Sequence, residues 1–350
     1  MTKSRDTTTA QGLVDVYQAK LGERVVSVGA EHEDTERIPT GLFELDLALG
    51  GGFPKGRPSI IFGPESSAKT SIMLKAMASH QRIWPHEVCV FVDLEHAFDP
   101  DWARKMGVDV DRLVVVRPGY AEQAVDMIES FMYADDVGFV GVDSLAAMVT
   151  AQELESSADK AQPGGASIVV GKLCRKAAQA LQQAWKDDRH LTVCYINQVR
   201  MKVGVMFGSP EVLPGGNAQL FHSHLTLRVY GKNEVDESVS KVIPVKKAVT
   251  FVIKKWKVPI YSVSGKCKIV TYAPDGVGVG RSDDWETVLS YMRELGMIEK
   301  SNKRWKMLGE EYPRLSDCRD AVLSDRDLEE RIKREIVRRV TEVSDETPTG

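Results

Sequence analysis

The chain has 350 residues, 43% of them hydrophobic, which is enough for a large core divided into two or three units, and a formal charge of −4. That charge excludes a global pull toward nucleic acid, so any DNA binding has to come from local basic clusters. No apolar run is long enough to span a membrane, residues 1–10 are polar rather than signal-like, and the five cysteines lack metal-like spacing, so a reducing, cytoplasmic setting is expected.

In chain order, residues 1–10 read as disordered, 11–21 as a short helix and 24–28 as β-like, followed by the acidic stretch 31–34. Residues 1–37 form an arm too small to fold alone, which either packs on its own domain or docks on a neighbouring subunit. Over 38–280 helical and β periods alternate. Helices are expected over 42–49, from Ser71, over 121–132 and over 171–185; strands over 59–62, 88–92, 113–116, 139–142 and 191–196. Such alternation predicts an α/β fold with a mostly parallel central sheet. Strands over 225–230, 249–253 and 267–272 extend it, and Lys254, Lys255 and Lys257 close the middle one as a solvated rim. Residues 281–341 read as a small α/β domain, with helices over 285–295 and 325–340 and a β-turn over 303–306. It carries a local basic patch of Arg293, Lys300, Lys303, Arg304 and Lys306, and a tail over 342–350 follows.

The first buried strand leads into Gly63-Pro64-Glu65-Ser66-Ser67-Ala68-Lys69-Thr70 and then a helix. A strand that turns sharply into a helix aims backbone N–H groups at one point, where they hold phosphate oxygens. Lys69 and Thr70 occupy the places of the lysine that neutralises β- and γ-phosphates and the hydroxyl that binds Mg²⁺, while Ala68 stands where the usual pattern has a second glycine. Ligands of parallel sheets lie beyond the strands' carboxyl ends, and three strands end in suitable groups: Asp93 to Glu95, Asp143-Ser144, and Asn197-Gln198. Asp143 fits the carboxylate that orients Mg²⁺, or else a helix cap. Glu95 fits a group that polarises the attacking water, or else a surface carboxylate.

Two glycine-containing segments, 153–166 and 199–217, open on the same side of the sheet, as loops flanking one ligand or as surface linkers. In the second, Arg200 and Lys202 can meet phosphates, and the glycines allow close approach of backbone.

These residues resemble the RecA family of recombinases, in its bacterial and phage-encoded branch, over residues 11–306. The resemblance is carried by Gly63 to Thr70, Phe91-Val-Asp-Leu-Glu-His-Ala-Phe-Asp-Pro, Val142-Asp-Ser-Leu-Ala-Ala, and above all the run from Tyr195 to Gly208. It implies a DNA-dependent ATPase that uses ATP and Mg²⁺, polymerises on single-stranded DNA as a helical homo-filament, and exchanges that strand into a homologous duplex. It further implies that Lys69, Thr70 and Asp143 serve nucleotide and metal, that Glu95 is the catalytic carboxylate, and that Asp99 and Trp102 hold the adenine. Gln198 would sense the γ-phosphate, and Lys255 would reach a neighbour's ATP, with Ile253 or Lys254 at the companion position. DNA contacts are expected from Arg200, Lys202, Gly204, Gly208, Gly215 and Gly216. The arm would join subunits, the C-terminal domain would capture duplex, and single-strand-binding and mediator proteins would be further partners. Two alternatives stay open: a ring-forming motor of the same fold, and a non-catalytic DNA-coating module whose phosphate loop is weakened by Ala68.

Overall fold

The structure, a computed structural model, describes residues 9–21, 35–156, 164–201, 211–274, 278–301 and 303–345. The β-like segment expected over 24–28, the DNA-contact candidates Lys202, Gly204 and Gly208, and tail residues 346–350 lie outside them.

In chain order the elements are α1 (Ala10–Leu21), β1 (Arg37–Ile38), α2 (Phe43–Ala48), β2 (Phe53–Pro54), β3 (Pro58–Gly63), α3 (Lys69–Ile83), β4 (Val88–Asp93), α4 (Pro100–Lys105), β5 (Leu113–Val116), α5 (Ala121–Met132) and β6 (Val137–Asp143). There follow α6 (Ala151–Glu155), α7 (Gly165–Lys186), β7 (Thr192–Gln198), β8 (Arg200–Met201), β9 (Glu211–Val212), α8 (Ala218–His222), β10 (Leu225–Glu234), β11 (Lys246–Trp256) and β12 (Ser264–Val270). The C-terminal unit comprises α9 (Trp285–Glu294), β13 (Ile298–Ser301), β14 (Arg304–Met307), β15 (Glu310–Tyr312), α10 (Leu315–Ser324) and α11 (Arg326–Asp345).

Eight strands form the central sheet in the order β12-β11-β10-β3-β7-β6-β4-β5. From β10 to β5 all neighbours are parallel, while β11 and β12 add an antiparallel edge. β3 and β6 are buried along their whole length, as strands covered on both faces must be. The pleat sends alternate residues to two cores: Ile61, Phe91 and Phe139 pack with α3 on one face, and Ile60, Val90 and Val140 with α5 and α7 on the other. All five cysteines are free and buried.

The expected loop over 153–166 is shorter than the sequence suggests. Its first residues belong to α6, and α7 starts at Gly165, six residues before the expected start at 171. The physical reason is the row Val169, Val170, Leu173, Cys174 and Ala177, whose helical spacing carries the buried face of α7 back toward Gly165. Two features of the C-terminal unit are also corrected. The expected β-turn over 303–306 lies within the antiparallel sheet β13-β14-β15, and α10 precedes the final helix. This unit closes its own core around Met292, Met307, Ile332 and Ile336, and that core takes in Phe43 and Leu47 from α2. Among the described residues no helix is long and apolar enough to cross a membrane.

Candidate active site

Sheet register assembles the site. Gly63 stands beside Gln198 and Asp93 beside Asp143, so the polar ends of β3, β7, β4 and β6 share one edge. A cavity there is lined by Glu65, Ser66, Ser67, Ala68, Lys69, Thr70, Ser71, Glu95, Trp102, Asp143, Gln198 and Lys247. An adjoining hollow adds Asp93, Phe98 and Asp99 beside Trp102.

The phosphate loop is fixed by close approach. A Cβ on Gly63 would collide with the Val229 carbonyl oxygen and with Ser67 Oγ, so only glycine lets β10 run this near. Ala68 caps α3 with φ 70° and ψ 21°, a left-handed conformation that the missing glycine would have adopted freely. Ser67 Oγ donates to the Pro64 carbonyl at 2.7 Å. Lys69 Nζ donates to the carbonyls of Pro64 at 2.7 Å and Gly63 at 3.3 Å, and burial lowers its pKa. A lysine folded onto its own loop in this way has its charge stored beside the place where phosphate oxygens would arrive.

Thr70 Oγ1 donates to Asp143 Oδ2 at 2.5 Å. Burial pushes the Asp143 carboxyl up to about 6, against the Thr70 hydrogen bond that favours its ionised form. A hydroxyl and a carboxylate side by side are hard oxygen donors of the kind Mg²⁺ takes. The described residues hold no group of three or more His, Cys, Asp or Glu able to bind a metal by themselves. Such a set suits a cation that shares its coordination with substrate phosphates.

Glu95 Oε1 accepts from Ser144 Oγ and, at 3.0 Å, from Gln198 Nε2. Gln198 precedes β8, which pairs with β9 as Arg200↔Val212 and Met201↔Glu211, so the two ends of the segment expected to bind DNA are joined as a hairpin stem. Asn197 supports the turn by donating to Pro214 O and Gln219 Oε1.

Of the other candidates, Asp99 and Trp102 line the cavity and its adjoining hollow, and the rest, among the described residues, do not line it. Asp99 is the N-cap of α4, accepting from Asp101 N and Trp102 N, while Trp102 Nε1 donates to Ser71 Oγ at 3.2 Å. Arg200 is exposed on β8. Gly215 and Gly216 have positive φ, and a Cβ on Gly215 would press on the Val170 side chain of α7. Lys255 pairs with Thr226, which stands beside Ile60, so it lies toward the amino end of β3 and outside the cavity. Its Nζ donates to the Phe221 carbonyl at 2.9 Å. Ile253 is a core residue, 3% exposed, whereas Lys254 is exposed.

Lys247 was not legible as a site residue. It reaches across β10 to donate to Ser66 O at 3.1 Å, over Gly231, where a Cβ would strike the Ser66 carbonyl. Nothing local in the pair Lys246-Lys247 signals this; only the β10–β11 pairing brings it to the loop. Ser144 offered a clearer sign, as a hydroxyl directly after a strand-closing aspartate.

A parallel sheet with a strand–phosphate loop–helix unit, a strand-end carboxylate touching the loop's threonine, and a second carboxylate across the cavity defines a P-loop nucleotide hydrolase. The sequence pattern of the RecA N-terminal domain matches residues 11–271. The RecA protein of Acholeplasma laidlawii is 36% identical over 293 residues, 83% of this chain and 81% of that one. For Aquifex pyrophilus the RecA protein is 38% identical over 320 residues, 90% and 85% of the two chains. The crystal structure of the RadB recombinase superposes with a TM-score of 0.48 at 18% identity, covering 67% of this chain and 96% of that one. The chain belongs to the RecA family, and with it to the DNA-dependent ATPases of DNA recombination and repair.

Proposed function

We propose that this chain assembles with ATP on single-stranded DNA as a helical filament, and pairs and exchanges that strand with a homologous duplex. The observation that carries the reading is the 3.0 Å hydrogen bond from Gln198 to Glu95, which links the last residue of β7, two before the hairpin stem, to a carboxylate of the nucleotide cavity. In this reading the backbone of Gly63 to Ala68 cradles the triphosphate, and Lys69 turns from its loop carbonyls to the phosphate oxygens. Trp102 and Asp99 flank the adenine. Glu95 orients the attacking water, with Ser144 holding its carboxylate in place. Thr70 and Asp143 would hold Mg²⁺, which supplies charge neutralisation to the phosphates.

Gln198 senses the γ-phosphate with the same amide that reaches Glu95. Arg200 and Lys202, with the glycines 204, 208, 215 and 216, meet the DNA backbone, and Lys255 reaches the nucleotide of a neighbouring subunit. The arm 1–37 joins subunits, the unit 281–341 captures duplex, and single-strand-binding and mediator proteins are further partners in a cytoplasmic setting.

Glu95→Gln separates binding from chemistry. The variant is expected to bind ATP as the wild type does and to lose hydrolysis by roughly 10²–10⁴-fold, the contribution of a positioned proton-transfer group. Normal turnover would remove Glu95 from the mechanism. A wild type that hydrolyses ATP with DNA yet never exchanges strands would overturn the recombinase reading.

A further inference from the structure

Arg228 is a charge on the polar phase of β10, with Thr226 and Tyr230, yet it is buried. It lies in β10 between Leu227 and Val229, and it is 1% exposed. A guanidinium removed from water requires partners for both its charge and its donors. Arg228 Nε donates to Glu211 Oε2 at 3.1 Å and a second nitrogen donates to Glu211 Oε1, a two-point fork, while Nη1 donates to the Val229 carbonyl at 3.0 Å. The guanidinium carbon lies 3.9 Å from the centre of the Tyr230 ring and 5.5 Å from that of Phe62.

Both partners of this pair are placed to matter. Glu211 opens β9, the returning strand of the hairpin stem whose outgoing strand follows Gln198. Arg228 stands beside Phe62, the residue before Gly63, and the next carbonyl on β10 is the one that presses against Gly63. One end of the stem is therefore tied to the nucleotide cavity through Gln198 and Glu95, and the other, through Glu211 and Arg228, to the end of β3 that leads into the phosphate loop.

We infer that the Arg228–Glu211 fork is a second positioning link between phosphate loop and DNA-binding hairpin, setting the stem's returning strand as Gln198 sets its outgoing one. This rests on the recombinase reading above. The link touches neither substrate nor nucleotide. A fully exposed ion pair would tolerate loosening, but a two-point fork whose guanidinium is buried, with Glu211 half-buried, has one satisfied geometry, so a shift of β10 against the phosphate loop is passed to β9. Nucleotide and DNA binding would then depend on each other through two routes, and removing either should weaken that dependence.

The experiment is titration of the full chain with fluorescent single-stranded DNA, with and without a non-hydrolysable ATP analogue, in wild type, Gln198→Ala, Glu211→Gln and Arg228→Lys. The wild type is expected to show a ratio of the two affinities within the usual range of about five- to 150-fold. Absence of any such ratio in the wild type would sink the underlying reading. Glu211→Gln and Arg228→Lys should keep analogue affinity without DNA within about threefold and drop the ratio toward one, as expected of a coupling contact. Folded variants that retain the full wild-type ratio overturn the link.

A second variant answers a failure to fold: Arg228→Met combined with Glu211→Leu removes the buried charge and its partner together, which cores tolerate far better than half a pair. If the double variant folds, binds the analogue and still has a ratio near one, the fork itself carries the coupling. If it restores the wild-type ratio, packing suffices and the inference fails.

Discussion

At the scale of single residues, Ala68 is a strained position in the phosphate loop. An alanine with φ 70° suffers the Cβ–carbonyl crowding that glycine avoids, at about 1–2 kcal/mol. If nucleotide binding requires this geometry in an ordered loop, Ala68→Gly should tighten ATP by up to about ten- to thirtyfold. Equilibrium titration with a non-hydrolysable analogue measures it, and weaker binding by the variant would contradict the argument. Lys247 bears on the same loop, since its ammonium holds the carbonyl of Ser66, itself at φ 56°. Charge-assisted tethering of that kind helps to keep the two left-handed residues of the loop, Ser66 and Ala68, in place.

At the scale of elements, α1 is distinguished by what it does not bury. Helices of the core owe their stability to an apolar face packed against the sheet, yet α1 has no buried residue. Leu13, Tyr17 and Leu21 follow one another at four-residue steps, 40%, 44% and 52% exposed. Such an exposed stripe on a helix without buried residues favours the docking alternative for the arm, and a head-to-tail contact that does not close builds a filament. Leu13→Asp combined with Tyr17→Asp is expected to abolish long filaments in electron micrographs while leaving the melting temperature of the monomer unchanged. A lowered melting temperature with intact filaments would put the stripe on its own protomer.

At the scale of the whole molecule, the sheet edge and the junction with the C-terminal unit each hold a carboxylate that burial makes hard to ionise. Burial raises Asp143 to about 6 and Asp46 to about 7, the latter despite hydrogen bonds from Thr40 and Gly41. Both folded values lie above the ordinary aspartate range, so between pH 4 and 7 the folded chain holds protons that the unfolded chain has lost. The stabilising contribution is present at the acid end and is lost as pH rises through these values. Burial holds His224 down at about 4, which works in the opposite direction up to its ordinary value, but the two carboxylates outnumber it, so the ligand-free melting temperature is expected to fall on balance between pH 5 and about 7. Asp46→Asn should flatten part of that slope, and Mg²⁺ with nucleotide should flatten the part due to Asp143. A melting temperature that rises steadily over this range would refute it.

The sequence by itself determined the α/β class, the phosphate loop from Gly63 to Thr70, and the strand-end residues Glu95, Asp143 and Gln198, because each follows from a local rule: periodicity, a turn into a helix, or a polar group closing an apolar run. Tertiary structure alone decided what those groups touch. That Gly63 stands beside Gln198 is a matter of strand order, and that Lys247 reaches the phosphate loop and Arg228 stands beside Phe62 depends on β10 lying next to β3. The true start of α7 was hidden because glycine and alanine at 164–166 read as loop until the sheet gives Val169 and Val170 something to pack against. Pairing across distant segments is enforced by the burial of whole faces, and no window of neighbouring residues contains that constraint.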